Sequence, residues 1–201
     1  MSDVILQQSP LIDCKRISAS NSAPEEAGAV LGEQAFWGHI NLRGDPNEPA
    51  FLQAVAEVLG SELPLTPNTV AISDKLTAFW LGPNEWLLLM PSEQQEPIIE
   101  QLRAALAGVF AAVTDISSGQ TVITLSGQCI RAVLAKGCTL DLHPQIFQVG
   151  QCAQTLVAKT GALLWPCDEA GINIIVRRSF ADYLWTWLID AADEYGFAVT
   201  E

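Results

Sequence analysis

Positive charge is scarce in this chain. Ten lysines and arginines face 23 aspartates and glutamates, for a formal net charge of −13. So acidic a chain is excluded from non-specific attachment to nucleic acid or anionic membrane, because both need a positive field. Histidine is rarer still, with two copies, so any imidazole chemistry falls to His39 and His143. No apolar run approaches the roughly 18–20 residues that cross a bilayer. Residues 1–16 lack the basic, apolar and small-residue layout of a secretory signal. The five cysteines (Cys14, Cys129, Cys138, Cys152 and Cys167) form no CxxC pair, and in an unexported protein they read as reduced thiols. There is no GxGxxG, and no GxxxxGK followed by Ser or Thr, so neither a dinucleotide fingerprint nor a phosphate-cradling loop can be placed. What these absences leave is a cytoplasmic globular protein without a recognisable catalytic signature.

What is present is apolar and repetitive. Hydrophobic residues make up 49% of the 201 residues and charged ones 16%, enough to bury a large core. The small, polar stretch SASNSAPEEAGAV suggests that residues 1–35 form a loosely structured arm. From Phe36 the sequence states one pattern twice. INLRG (Ile40 to Gly44) matches ITLSG (Ile123 to Gly127), and LPLTP (Leu63 to Pro67) matches LDLHP (Leu140 to Pro144). Each half has a short helical pattern stopped by glycine: Phe51, Leu52, Val55, Val58 and Leu59 before Gly60, then Ile130, Val133 and Leu134 before Gly137. Two strand-like runs follow in each, KLTAFWLG with EWLLLM and QTLVAKTGALLW with INIIVRR. A helix closes each half, beginning at Pro97 and at Phe180. The reading is an α+β domain over residues 36–201, made of two pseudo-symmetric β-α-β-β-α halves (about 36–113 and 114–201) in a two-layer sandwich.

Candidate chemistry is thin. Cys138 and His143 are spaced like a metal or nucleophile pair, but Thr66 stands where His143 stands in the other half, which favours a structural histidine. Asp115 in TDISSG has the sequence of a turn or cap. LGPNEW is good turn chemistry between two strands whose Trp80 and Trp86 can pair across the ladder. The last helix invites more attention. Phe180, Tyr183, Leu184, Trp187, Leu188 and Ala191 trace one face, which leaves Trp185 and Ile189 projecting from the other, where a partner would cover them. Its C-terminal end gathers Asp190, Asp193 and Glu194, which the helix dipole disfavours and a basic partner would compensate. Arg177 and Arg178 point to opposite faces of the incoming strand. Either they pair with acids of this chain or at least one of them faces a partner. Arg177, Arg178, Trp185 and Ile189 are therefore the candidate partner interface, with no catalytic, cofactor-binding or metal residue.

LAKGCTLDLHPQIFQVGQCAQT (Leu134 to Thr155) followed by VRRSFADYLWTWLIDAA (Val176 to Ala192) resembles the gamma subunit of heterotetrameric sarcosine oxidase. WLGPNEWLLL (Trp80 to Leu89) and DISSGQTVITLSG (Asp115 to Gly127) fit the same family, and the match runs from about Phe36 to Ala192. The pattern DxS…LSG is shared more loosely with the aminomethyltransferase, or glycine-cleavage T-protein, superfamily. The resemblance implies a T-protein folate-domain-like fold and a non-catalytic subunit that docks chiefly on an alpha subunit, beside beta and delta subunits. It implies a complex that demethylates sarcosine to glycine with hydrogen peroxide as product and folate as one-carbon acceptor. It implies that FAD, FMN, NAD, tetrahydrofolate and zinc belong to the other subunits. The alternative is a stand-alone folate-binding one-carbon transferase of the T-protein type, with Asp115 or Asp141 as its pterin-binding carboxylate.

Overall fold

The computed structural model describes residues 7–17 and 20–200. After a short helix α1 (Ile12–Ile17) and strand β1 (Ala29–Gln34), the first half runs β2 (Gly38–Gly44), α2 (Pro49–Leu59), β3 (Val70–Ile72), β4 (Thr77–Gly82), β5 (Glu85–Met90), α3 (Ser92–Ala105) and β6 (Ala111–Asp115). The second repeats that order as β7 (Gln120–Ser126), α4 (Ile130–Ala135), β8 (Ala153–Val157), β9 (Thr160–Pro166), β10 (Gly171–Arg177), α5 (Arg178–Ala192) and β11 (Phe197–Val199). Each half thus has two strands more than the β-α-β-β-α expectation. β3 is only three residues long, and QTLVAKTGALLW is not one strand. It folds back at Ala158-Lys159, with Ala158 held at φ 52°, a left-handed conformation that alanine rarely adopts and no sequence signal announces.

The strands form two sheets, ordered β3-β4-β5-β2-β6 and β8-β9-β10-β7-β1-β11. The first four positions of each correspond one to one. Each half is the expected two-layer unit, with α2 and α3 on one sheet and α4 and α5 on the other. The bare faces of the two sheets then pack on each other, giving four layers in all. Phe79, Leu87 and Leu89 meet Val122, Leu163, Trp165 and Ile175 there, and the Phe79 and Trp165 rings meet edge-on at 4.9 Å. This double covering explains why EWLLLM reads as an almost unbroken apolar run. Trp86, Leu88 and Met90 face the helices while Leu87 and Leu89 face the other sheet, as in any strand buried on both sides. Trp80 and Trp86 are opposite one another in the ladder, but the ring against Trp86 is Phe51 at 5.7 Å.

The repeated glycines serve different ends. A Cβ at Gly44 would overlap the Phe51 ring of α2. Gly127 sits at φ 118°, and a Cβ there would run into the Gly28 carbonyl, an arrangement closed to other residues. Helix α2 ends as expected at Gly60, in the left-handed region, with its N–H bonded to the Ala56 carbonyl.

Two expectations need correction. Residues 1–35 are not a loose arm throughout: β1 lies inside the second sheet, antiparallel to β7 and parallel to β11, and Leu11 is fully buried. Residues 1–6 and 18–19 of that arm lie outside the described residues. The second correction concerns α5. Its buried stripe is Ala181, Leu184, Trp185, Leu188, Ala191 and Ala192, while Phe180 and Tyr183 are exposed. Trp185 is 1% exposed, within the core of its own chain, and Ile189 is half-buried against the same core. Polar Ser179, Asp182, Thr186 and Asp190 line the exposed side, and the stripe opposite them, with the small residues Ala181, Ala191 and Ala192, packs on the core.

Candidate functional site

The reactive side chains are held in quiet states. His39, on β2, is buried, and its Nδ1 lies 2.9 Å from the Trp37 carbonyl, so Nδ1 carries the proton and donates it. Burial lowers the imidazole to about 4, against a smaller opposing pull from the Trp37 bond and Asp115. Desolvation raises the Cys14 thiol to about 11 and Cys152 to about 12, and it also raises Cys167. None of these favours the thiolate that a nucleophile needs. Among the described residues no three His, Cys, Asp or Glu side chains converge as a metal cluster.

The candidates singled out from the sequence fall into place as structure. Asp115 Oδ1 accepts from the Ser117 amide at 2.9 Å and from its hydroxyl at 2.6 Å, closing the turn into β7. Asp141 Oδ1 accepts from the His143 amide, and His143 Nδ1 accepts from Gln145. Cys138 faces Thr155 instead; among the described residues no hydrogen bond joins it to His143. The LPLTP and LDLHP segments occupy the same connection in each half, yet Leu63 is the buried leucine in one and Leu142 in the other.

Arg177 and Arg178 border different hollows where β10 runs straight into α5. Arg177 borders a 250 Å³ hollow between the sheets, with Leu81, Gln154 and Ile175. Arg178 borders a 370 Å³ polar hollow with Asp115, Ser117 and Thr121, and its Nη2 donates to the Gln8 carbonyl at 2.6 Å. Both arginines are exposed, while Trp185 lies in the core beneath α5 and Ile189 is half-buried against it. The acidic end of α5 is compensated within the chain: Lys136 Nζ donates to the Ala191 carbonyl, pairs with Glu194 and lies 4.8 Å from the centre of the Tyr195 ring.

The surface offers what the interior does not. Phe110, in the loop between α3 and β6, is 98% exposed. It borders an open 950 Å³ concavity with Arg43, Pro46, Asn47, Pro83 and Asn84. Ile72, Ile146, Val149 and Leu156 are also more than half exposed, on or beside β3 and β8, whose ends are tied by the Thr69–Gln151 bridge. Nothing in the sequence marks Phe110. It lies outside any periodic run, and its exposure is a property of the fold.

The architecture is shared with the aminomethyltransferase T of the Bartonella henselae glycine cleavage system. Its crystal structure aligns with a TM-score of 0.71 at 16% identity, over 97% of this chain and 59% of that one. Closer kinship is with one family. The profile of the sarcosine oxidase, gamma subunit family matches residues 43–194, and the chain belongs to that family. The gamma subunit of sarcosine oxidase from Corynebacterium sp. strain P-1 is 38% identical over 84% of this chain and 83% of that one. The subunit from Corynebacterium sp. strain U-96 is 34% identical over 96% and 93%. A chain of the heterotetrameric sarcosine oxidase from Corynebacterium sp. U-96, solved with pyrrole 2-carboxylate, aligns with a TM-score of 0.86 at 31% identity, over 94% of this chain and 96% of that one.

Proposed function

We propose that this chain is the non-catalytic gamma subunit of a heterotetrameric sarcosine oxidase and acts by docking on the larger subunits, chiefly alpha. The observation that carries the reading is the full-length alignment, at 31% identity, with a chain of a heterotetrameric sarcosine oxidase. The chemistry of the chain agrees with it. The candidate pterin carboxylates, Asp115 and Asp141, each accept from a neighbouring backbone N–H, and burial keeps the shifted thiols protonated. On this reading the oxidation of sarcosine, and the FAD, FMN, NAD, tetrahydrofolate and zinc it calls for, belong to other subunits. Docking takes place in the cytoplasm.

The test is co-expression of the tagged chain with the alpha, beta and delta subunits of a sarcosine oxidase. The complex is expected to co-purify with sarcosine oxidase activity, and the isolated chain to give no calorimetric signal with tetrahydrofolate. Recovery of the chain alone, together with micromolar folate binding, would instead favour the stand-alone transferase.

A further inference from the structure

An edge strand exposes unpaired N–H and C=O groups, and proteins manage that by shortening, charging or covering it. Three of the four edges here are managed. β3 is three residues long, and the Val70 amide that begins it bonds to the Gly150 carbonyl. β8 is bridged from Val157 to Cys138. β11 is dressed by the segment before β1: the Asn21 side chain accepts from the Phe197 amide, the Phe197 carbonyl accepts from Asn21 and Ser22, and the Ser20 hydroxyl accepts from Val199.

The fourth edge, β6, is different. Its five residues, AAVTD, include no lysine and no proline. The direction of its free groups follows from the ladder. The Gly44 amide bonds toward β5, at Asn84, and the His39 carbonyl receives the Ile116 amide on the β6 side. Residues 40, 42 and 44 of β2 therefore serve β5, and their partners across the other ladder, Asp115, Val113 and Ala111, turn N–H and C=O outward. Among the described residues one side chain reaches this row: Arg103 Nη2 donates to the Val113 carbonyl at 3.3 Å.

The pseudo-symmetry says what shape fits. β6 lies beside β2 as β1 lies beside β7, and on the outer side of β1 the second sheet carries one more strand, β11, running parallel to it. The first sheet ends one strand earlier, next to Phe110. The net charge of −13 sets two copies of this chain against each other and favours an occupant without excess negative charge.

We infer that an extended segment of a partner subunit adds to the first sheet along β6, running parallel to it, with an apolar side chain seated against Phe110. This is strand addition, in which backbone bonds give affinity and a side-chain contact gives selectivity. The inference rests on the docking role proposed above and names its surface.

The test uses the co-expressed complex and two variants. Phe110→Asp alters a fully exposed side chain and leaves the fold intact. Val113→Pro removes an outward N–H without removing a bond to β2. Each is expected to weaken capture of the partner subunits by about tenfold or more, the range of an interface anchor. Hydrogen exchange at Ala111, Val113 and Asp115 is expected to be fast in the free chain and slow in the complex, a readout independent of either variant. Capture of the partners by wild type, with Phe110→Asp equally bound and those amides unprotected, overturns the β6 assignment alone. Failure of the wild type to capture any subunit overturns the docking role and the assignment with it. A dimer of the isolated chain joined through β6 shows that the occupant is a second copy and overturns the inference.

Discussion

His39 should make this chain acid-labile over a defined pH window. The ring is 1% exposed and lies opposite Leu89 in the β2–β5 ladder. Its Nδ1–H is committed to the Trp37 carbonyl, and its Nε2 is buried with no partner among the described residues. In the native state the imidazole titrates at about 4, against an ordinary value of 6.5. Above pH 6.5 it is neutral folded or unfolded and stability does not depend on it. As the pH falls below 6.5 the unfolded chain takes up a proton that the native state refuses until about pH 4, so stability is lost across that interval. At about 1.4 kcal/mol per tenfold difference in proton affinity, the loss comes to about 3 kcal/mol. That is a large share of the 5–15 kcal/mol typical of a folded domain. Urea unfolding of the isolated chain, followed by tryptophan fluorescence from pH 7.5 to 4, measures it. His39→Leu keeps the site apolar and removes the titration, so subtracting the two curves cancels the carboxylates common to both. Wild type is expected to lose about 3 kcal/mol more than the variant on acidification. Parallel curves would refute the assignment of a buried, neutral imidazole.

Two further substitutions test the packing. Trp185→Ala removes a fully buried ring and should cost about 3–5 kcal/mol in urea unfolding of the isolated chain; a variant as stable as wild type would return Trp185 to the surface. Gly44→Ala pushes a methyl into the Phe51 ring and should cost about 1–3 kcal/mol, with much of the loss recovered when Phe51→Leu is added. No recovery would mean that the strand, rather than the ring, resists the methyl.

The repeat was legible because its signals are local. Alternation in INLRG and ITLSG, the Phe51–Val55–Leu59 stripe, and Gly60 and Pro83-Asn84 as stops each act through backbone sterics or the helical period, and each stands where it was read. Elements with no local signal were missed. β8 turns at an alanine, β3 is too short to show a period, and Pro97, a residue that favours a helix start, lies inside α3, which begins at Ser92. β1 was hidden because its strand partners, β7 and β11, lie far along the chain.

Sequence alone determined the acidic character of the chain, its doubled plan, its family resemblance and its poverty in catalytic groups, all of them properties of composition or short-range order. Tertiary structure decided how the wide apolar surface of α5 is divided, burying Trp185 and leaving Phe180 and Tyr183 exposed. It also decided that the arginine pair borders two separate hollows, that Lys136 completes the acidic helix end, and that Phe110 and the β6 edge face solvent. Exposure is a relation between distant segments, and no stretch of residues carries it by itself.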